Sequence, residues 1–230
     1  MNTITFRSLC AAALLFPLTA RAASLTEFQQ AANNKGCASI PYSDLQQKCV
    51  NKQPEVDRFC KQSAYSCDEF DPTGLKRNIE GLKGKNESLN EKRSELSKLR
   101  DQLKDKLSSA SSDSDKRDLE SKISQAGHED DSAKDEIYEN NKKIDDWQRK
   151  LESERTQIND RIYNGKNCIS ARVDMQKIFG EAYSNADHET DPGVVVEAKK
   201  LLPYWTDEQK RHNEALGNAQ TAVEKCSRML

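Results

Sequence analysis

Six cysteines hold the most specific chemistry in this chain of 230 residues: Cys37, Cys49, Cys60, Cys67, Cys168 and Cys226. A seventh, Cys10, lies in an apolar N-terminal stretch. An even number of cysteines in an exported chain points to disulfides. No CxxC or CxxH pair occurs, so the spacing that structural zinc needs is missing. Four of the six precede residue 75 and two follow residue 164. Cys168 and Cys226 are the expected partners in the second half. In the first half, a turn at Asn51-Lys52-Gln53 between two short helices would pair Cys49 with Cys60, leaving Cys37 with Cys67 outside. Any bridge joining the two halves is the competing arrangement.

The other candidates are weaker. His128-Glu129-Asp130-Asp131 and His188-Glu189-Thr190-Asp191 have ligand-like composition but no second histidine at zincin spacing, and His212 stands alone. Asp113-Ser114-Asp115 with Asp118 hints at calcium. In the EF-hand pattern, however, Asp118 occupies the required glycine position and Ser124 the position of the bidentate glutamate. There is no GxSxG, phosphate-binding glycine loop or GxGxxG. The expectation is no catalytic group, no cofactor, no metal, and a protein that is not an enzyme.

The compartment is legible at the N-terminus. Arg7, the apolar run Ser8 to Leu18 and Ala20-Arg21-Ala22 form a signal peptide over residues 1–22. The apolar run is too short to span a bilayer as a helix. Cleavage leaves 34 basic and 38 acidic residues, a net charge of −4, which gives no case for nucleic acid as partner. The protein is expected to be periplasmic or secreted, without membrane insertion after signal cleavage. Asn86-Glu87-Ser88 is the only glycosylation sequon, and Asn86 falls on an apolar seam where a glycan would not fit. That favours a bacterial envelope.

These groups must be positioned by helices. Only 35% of residues are hydrophobic, 32% are charged and 6% are aromatic. That excludes a polytopic membrane protein and falls short of an ordinary single-core enzyme. Long amphipathic helices need less apolar surface. Leu75, Leu82, Leu89, Leu96 and Leu103 repeat every seven residues at heptad position d, with Ile79, Asn86, Arg93, Arg100 and Leu107 at a. After the polar tract Ser108 to Asp115, a second run has Ile123, Asp130, Ile137, Ile144, Leu151 and Ile158 at a, and Leu119, Ala126, Ala133, Asn140 and Trp147 at d. Helices joined by a short loop normally lie antiparallel.

Folding about residue 113 brings Leu103 to Ile123, Leu89 to Ile137, Leu82 to Ile144, Leu107 to Leu119 and Ile79 to Trp147. The same register sets Arg93 against Ala133 and Arg100 against Ala126, large opposite small. It also sets Asn86 against Asn140, a polar layer that can fix register. Residues 75–108 carry ten basic and six acidic residues and residues 116–164 carry ten basic and thirteen acidic, so the strands attract. Coiling with another chain is the alternative, but Arg93, Arg100 and Asp130 would each meet their own copy in a parallel self-dimer. Gly81, Gly84 and Gly127 lie off the seam.

The flanks read as shorter helices: from Ser24, with Glu27 completing a capping box; from Pro41; and from Pro54. Asp71-Pro72-Thr73-Gly74 is a turn. Gly165 is expected to end the second arm helix, and Pro203 a helix from Val194. Thr206 would then cap the last helix with Gln209. Tyr204 and Trp205 are expected in a core. The predicted fold is all-α: a long antiparallel helical hairpin, or coiled-coil arm, over residues 75–164, projecting from a small disulfide-stapled helical base made of residues 23–74 and 165–230. The expected role is that of an exported scaffold, spacer or protein-binding adaptor acting through the arm, with a protein partner or self-association. The alternative is an enzyme, enzyme regulator or periplasmic holdase with its site in the stapled base.

Overall fold

The computed structural model describes residues 23–230; the predicted signal peptide over residues 1–22 lies outside the described residues. The fold is all-α, with three disulfides and no strand among the described residues. Among the described residues six α-helices follow in order: α1 Leu25–Ala31, α2 Ser43–Phe59, α3 Gln62–Tyr65, α4 Pro72–Ser109, α5 Asp113–Asp187 and α6 Pro192–Ser227. Residues 23–51 with 175–210 form one compact unit, and residues 52–174 with 211–230 form another. The second unit contains the whole arm. The residues grouped by sequence as one base are divided between the two units.

In the first unit, α1 begins with the expected capping box. Ser24 Oγ accepts the Glu27 N–H, and the Glu27 carboxylate accepts the Ser24 N–H. A 3-10 turn at Gly36–Ser39 follows. Gly36 has φ +60°, a conformation open to glycine at little cost. Its N–H donates to the Tyr204 hydroxyl at 2.5 Å. Trp205 is fully buried and donates from Nε1 to Ser39 Oγ at 3.1 Å. Phe28, Ile40 and Phe179 are fully buried in the same unit, and Phe28 meets Tyr42 edge-on at 5.7 Å. The Cys37–Cys49 disulfide ties the 3-10 turn to α2.

Three helix ends read from local signals do not exist. Residues 51–53 are helical, and α2 continues through Pro54. The carbonyl that loses its partner to Pro54 is that of Val50, a residue 50% exposed, where water can replace the missing N–H. Pro203 lies inside α6, and the Thr206 hydroxyl donates to the Leu202 carbonyl at 2.9 Å instead of capping a new helix. Gly165 lies inside α5. A methyl group there would sit 2.4 Å from Val223 Cγ2 and 3.4 Å from Tyr65 Cβ. Gly165 therefore permits close approach of α6 rather than stopping α5.

The disulfides join the two halves of the chain, which corrects the expected pairing. Cys60 bonds Cys168 and Cys67 bonds Cys226. Because α2 is uninterrupted, Cys49 and Cys60 stand eleven residues apart along essentially one helix, about 16 Å, beyond the reach of a disulfide. Cys168 packs with Tyr65 and Ala219, whereas Cys226 packs with Cys67 and Ile158. Ala219 and Cys226 are two turns apart on α6, about 10 Å, so Cys226 passes Cys168 at the wrong level. The two bridges close the root of the hairpin at successive levels. Each closes a loop of more than 100 residues, worth about 4–5 kcal/mol in the chain-entropy model.

Candidate functional site

The arm is formed by α4 and the N-terminal part of α5. Asp71 caps α4, its Oδ1 accepting the Gly74 N–H at 2.9 Å, with Pro72 in the first turn. A side chain at Gly74 would collide with the Asp71 carboxylate. The hairpin turn is only Ala110 to Ser112. Ser112 Oγ accepts the Ser114 N–H at 3.2 Å and opens α5, so the acidic Asp113 and Asp115 lie in its first turn. Acidic groups there favour the positive end of the helix dipole, which accounts for them without calcium.

The register is visible in its polar contacts. Asn140 Nδ2 donates to Asn86 Oδ1 at 2.9 Å, and Asn86 Nδ2 donates to Asn141 Oδ1 at 2.8 Å. Asn86 is 8% and Asn140 4% exposed, so the sequon asparagine has no room for a glycan in the folded arm. Arg93 Nε bonds Asp130 Oδ1 at 2.7 Å. The sequence set Arg93 against Ala133 and gave Asp130 no partner; the structure pairs the two charges. Ala126 and Ala133 are buried, as small residues facing arginine must be. Leu75, Ile79, Leu96, Leu103 and Ile144 are also buried, while Leu89, Ile137 and Trp147 are only partly covered.

The two flanks of the ribbon differ. Position g follows d round the helix. There Lys85 pairs with Glu136, and Lys92 with Glu129 at 3.2 Å. All the positive ends of these pairs come from α4 and all the negative ends from α5. The opposite flank carries positions a and e. It holds the Arg93–Asp130 pair and the Asn86–Asn141 bond, with Lys76, Lys83 and Lys104 on α4 and Lys134 and Arg155 on α5. At the root of the arm Glu154, at position d and 8% exposed, accepts the Asp71 N–H at 3.3 Å and lies 3.9 Å from Lys150 at g. The heptad places Glu154 at position d, seven residues after Trp147, so its burial follows from the seam while its partner does not.

Below the arm, a groove of about 440 Å³ lies between Gln62–Asp68 and α6, lined by Tyr65, Ser66, Asn218 and Thr221. Asp68 and Lys225 form an ion pair at its edge. Hydrogen bonding from Lys225, then from Ser66, holds the Asp68 carboxyl below its ordinary range. Elsewhere in the same unit, Glu55 and then Asp174 push the Lys52 ammonium up. His128 is exposed on α5, His188, just past the end of α5, bonds the Ser184 carbonyl, and His212 is buried with Nδ1 2.8 Å from Arg172. Among the described residues no group of three or more side chains could hold a metal ion. No described helix is long and apolar enough to cross a membrane. Three disulfides point to an oxidising compartment. Compared with known proteins, the chain matches no protein-family model, no curated protein and no solved structure.

Proposed function

We propose that this protein is an exported, non-enzymatic scaffold, spacer or adaptor that engages another protein through its coiled-coil arm. The observation that carries this reading is that two polar layers of the seam pair within the arm, although Arg100 Nε stays buried without a partner among the described residues. Asn86 meets Asn140, and Arg93 meets Asp130. An arm that pairs its asparagine layer and its Arg93–Asp130 charges within itself needs no second chain to form, and its flanks stay available. With α4 at 38 residues, it reaches about 55 Å. A leader over residues 1–22 would deliver the chain to the periplasm or exterior, which agrees with the disulfides.

The test is capture of interacting protein from the envelope fraction of the exporting cell. The full chain is compared with a chain lacking residues 87–107 and 119–139, three facing heptads from each strand. That deletion keeps the turn, the Asn86–Asn140 layer and the disulfides. Loss of the captured partner supports the arm; undiminished capture refutes it. The second reading, an enzyme regulator or holdase acting through the stapled part, rests on the 440 Å³ groove. Filling that groove by Thr221→Trp abolishes capture on the second reading and leaves it intact on the first.

A further inference from the structure

The two flanks of the arm are electrostatically unequal. On the d/g flank, lysines of α4 are answered by glutamates of α5 at 85/136 and 92/129. On the a/e flank, Lys76, Lys83, Lys134 and Arg155 have no carboxylate within ion-pair distance among the described residues. Lys104 has only Asp101 of its own helix, at 3.8 Å. In antiparallel register Lys76, Lys83 and Lys134 face Gln148, Asn141 and Asn90, none of them acidic, and Lys104 faces Glu120 without forming an ion pair with it. Carboxylates border the stripe at position b (Glu80, Glu87, Asp131 and Glu152 among them), yet they lie one row further out. Along the same flank, Leu107, Ile123, Ile137 and Leu151 at position a are only partly covered.

A partly covered aliphatic row bordered by unanswered cations is what one strand of a larger coil presents to the next. We propose that the a/e flank docks an acidic amphipathic helix of a partner protein, lying along it as a third strand. This rests on the reading of the arm as a protein-binding element. The partner's leucine-type stripe would cover Ile123, Ile137 and Leu151, and its flanking carboxylates would meet Lys83, Lys104 and Lys134. An unstructured polyanion or an anionic bilayer would use the charges and leave the aliphatic row uncovered. A second copy of this arm offers no acidic flank, because its glutamates on the d/g side are already paired with lysines.

The probe is a labelled peptide of four heptads with leucine at a and d and glutamate at e and g. Its own charge keeps it from self-associating at neutral pH. It is titrated by fluorescence anisotropy against the oxidised full chain. The expected result is binding with a gain in helical circular dichroism, weakened by salt. No binding is expected of the same peptide with lysine for glutamate. The double variant Lys83→Glu with Lys134→Glu should weaken binding about tenfold, since each reversal turns a modest attraction into a like repulsion. Lys143→Glu, an exposed lysine at g on the other flank, should not. The proposal is overturned by absence of binding, by equal binding of polyglutamate or of phosphatidylglycerol vesicles, or by an equal loss in Lys143→Glu. If the shortened arm still loses its captured partner while the glutamate peptide fails to bind, the arm reading stands and this assignment of its face does not.

Discussion

Replacing Asn86 by leucine tests whether the polar layer is a coupled unit. Asn140 is 4% exposed, and its Nδ2 donates to Asn86 Oδ1 at 2.9 Å. With leucine at 86, that amide is left buried without a partner, at a cost of about 1–3 kcal/mol. Asn141 also loses a bond, but it is exposed and returns to water at little cost. The added apolar burial of leucine offsets about 1 kcal/mol. The net expectation for Asn86→Leu is therefore a destabilisation of about 1 kcal/mol. Asn140→Leu should cost about the same or less, because Asn86 keeps its bond to Asn141. In the double variant no amide is orphaned and two leucines meet, so stability should equal or exceed the parent, with a less strictly specified register. The coupling is then about 2 kcal/mol. Urea unfolding of the oxidised protein, followed by far-ultraviolet circular dichroism, measures all four corners of the cycle at a common m value. Additivity within about 0.5 kcal/mol would refute the reasoning, since it would mean the asparagines do not sense each other.

Gly165→Ala should destabilise by about 1–3 kcal/mol through overpacking against Val223, despite the better helix propensity of alanine, and adding Val223→Ala should recover most of it. Gly84→Ala, with nothing within 4 Å of the new methyl, should instead stabilise by about 1 kcal/mol in the same melts. Burial first, then the charge of Glu189, raises the Tyr42 hydroxyl well above its ordinary value. The unfolded chain therefore loses this proton before the folded one does, so the stabilising contribution is complete below about pH 10 and declines as pH rises further. Stability measured from pH 8 to 11 should fall less steeply in Tyr42→Phe, and an unchanged slope would remove Tyr42 from the account. Non-reducing proteolysis with mass spectrometry should yield linked peptides for Cys37–Cys49, Cys60–Cys168 and Cys67–Cys226; a Cys168–Cys226 peptide would contradict the structure.

Much of the arm was legible because its signal repeats. Five leucines at seven-residue spacing identify α4, and only one common register sets Asn86 opposite Asn140 and both arginines opposite alanines. The Ser24 capping box was legible for a similar reason, being complete within four residues. The Arg93–Asp130 pair could have been found from the same heptad, since both residues occupy position a in opposed strands. What misled were the local stop signals. Pro54, Gly165 and Pro203 all sit inside helices, because tertiary packing and exposed carbonyls offset costs that would end an isolated helix.

By itself the sequence determined the helical class, the hairpin and its register, since these follow from periodicity and from side-chain size repeated over many residues. Disulfide connectivity was decided only in three dimensions. It depends on which cysteines reach the same level of adjacent helices, and that level shifts by 1.5 Å for every residue a helix continues past its apparent end. The continuation of α2 past Asn51 parted Cys49 from Cys60, and the two turns between Ala219 and Cys226 took Cys226 past Cys168 to Cys67. The partner of Glu154 was likewise decided by the fold, because position d directs its carboxylate into the seam but only the fold brings the distant Asp71 amide to it.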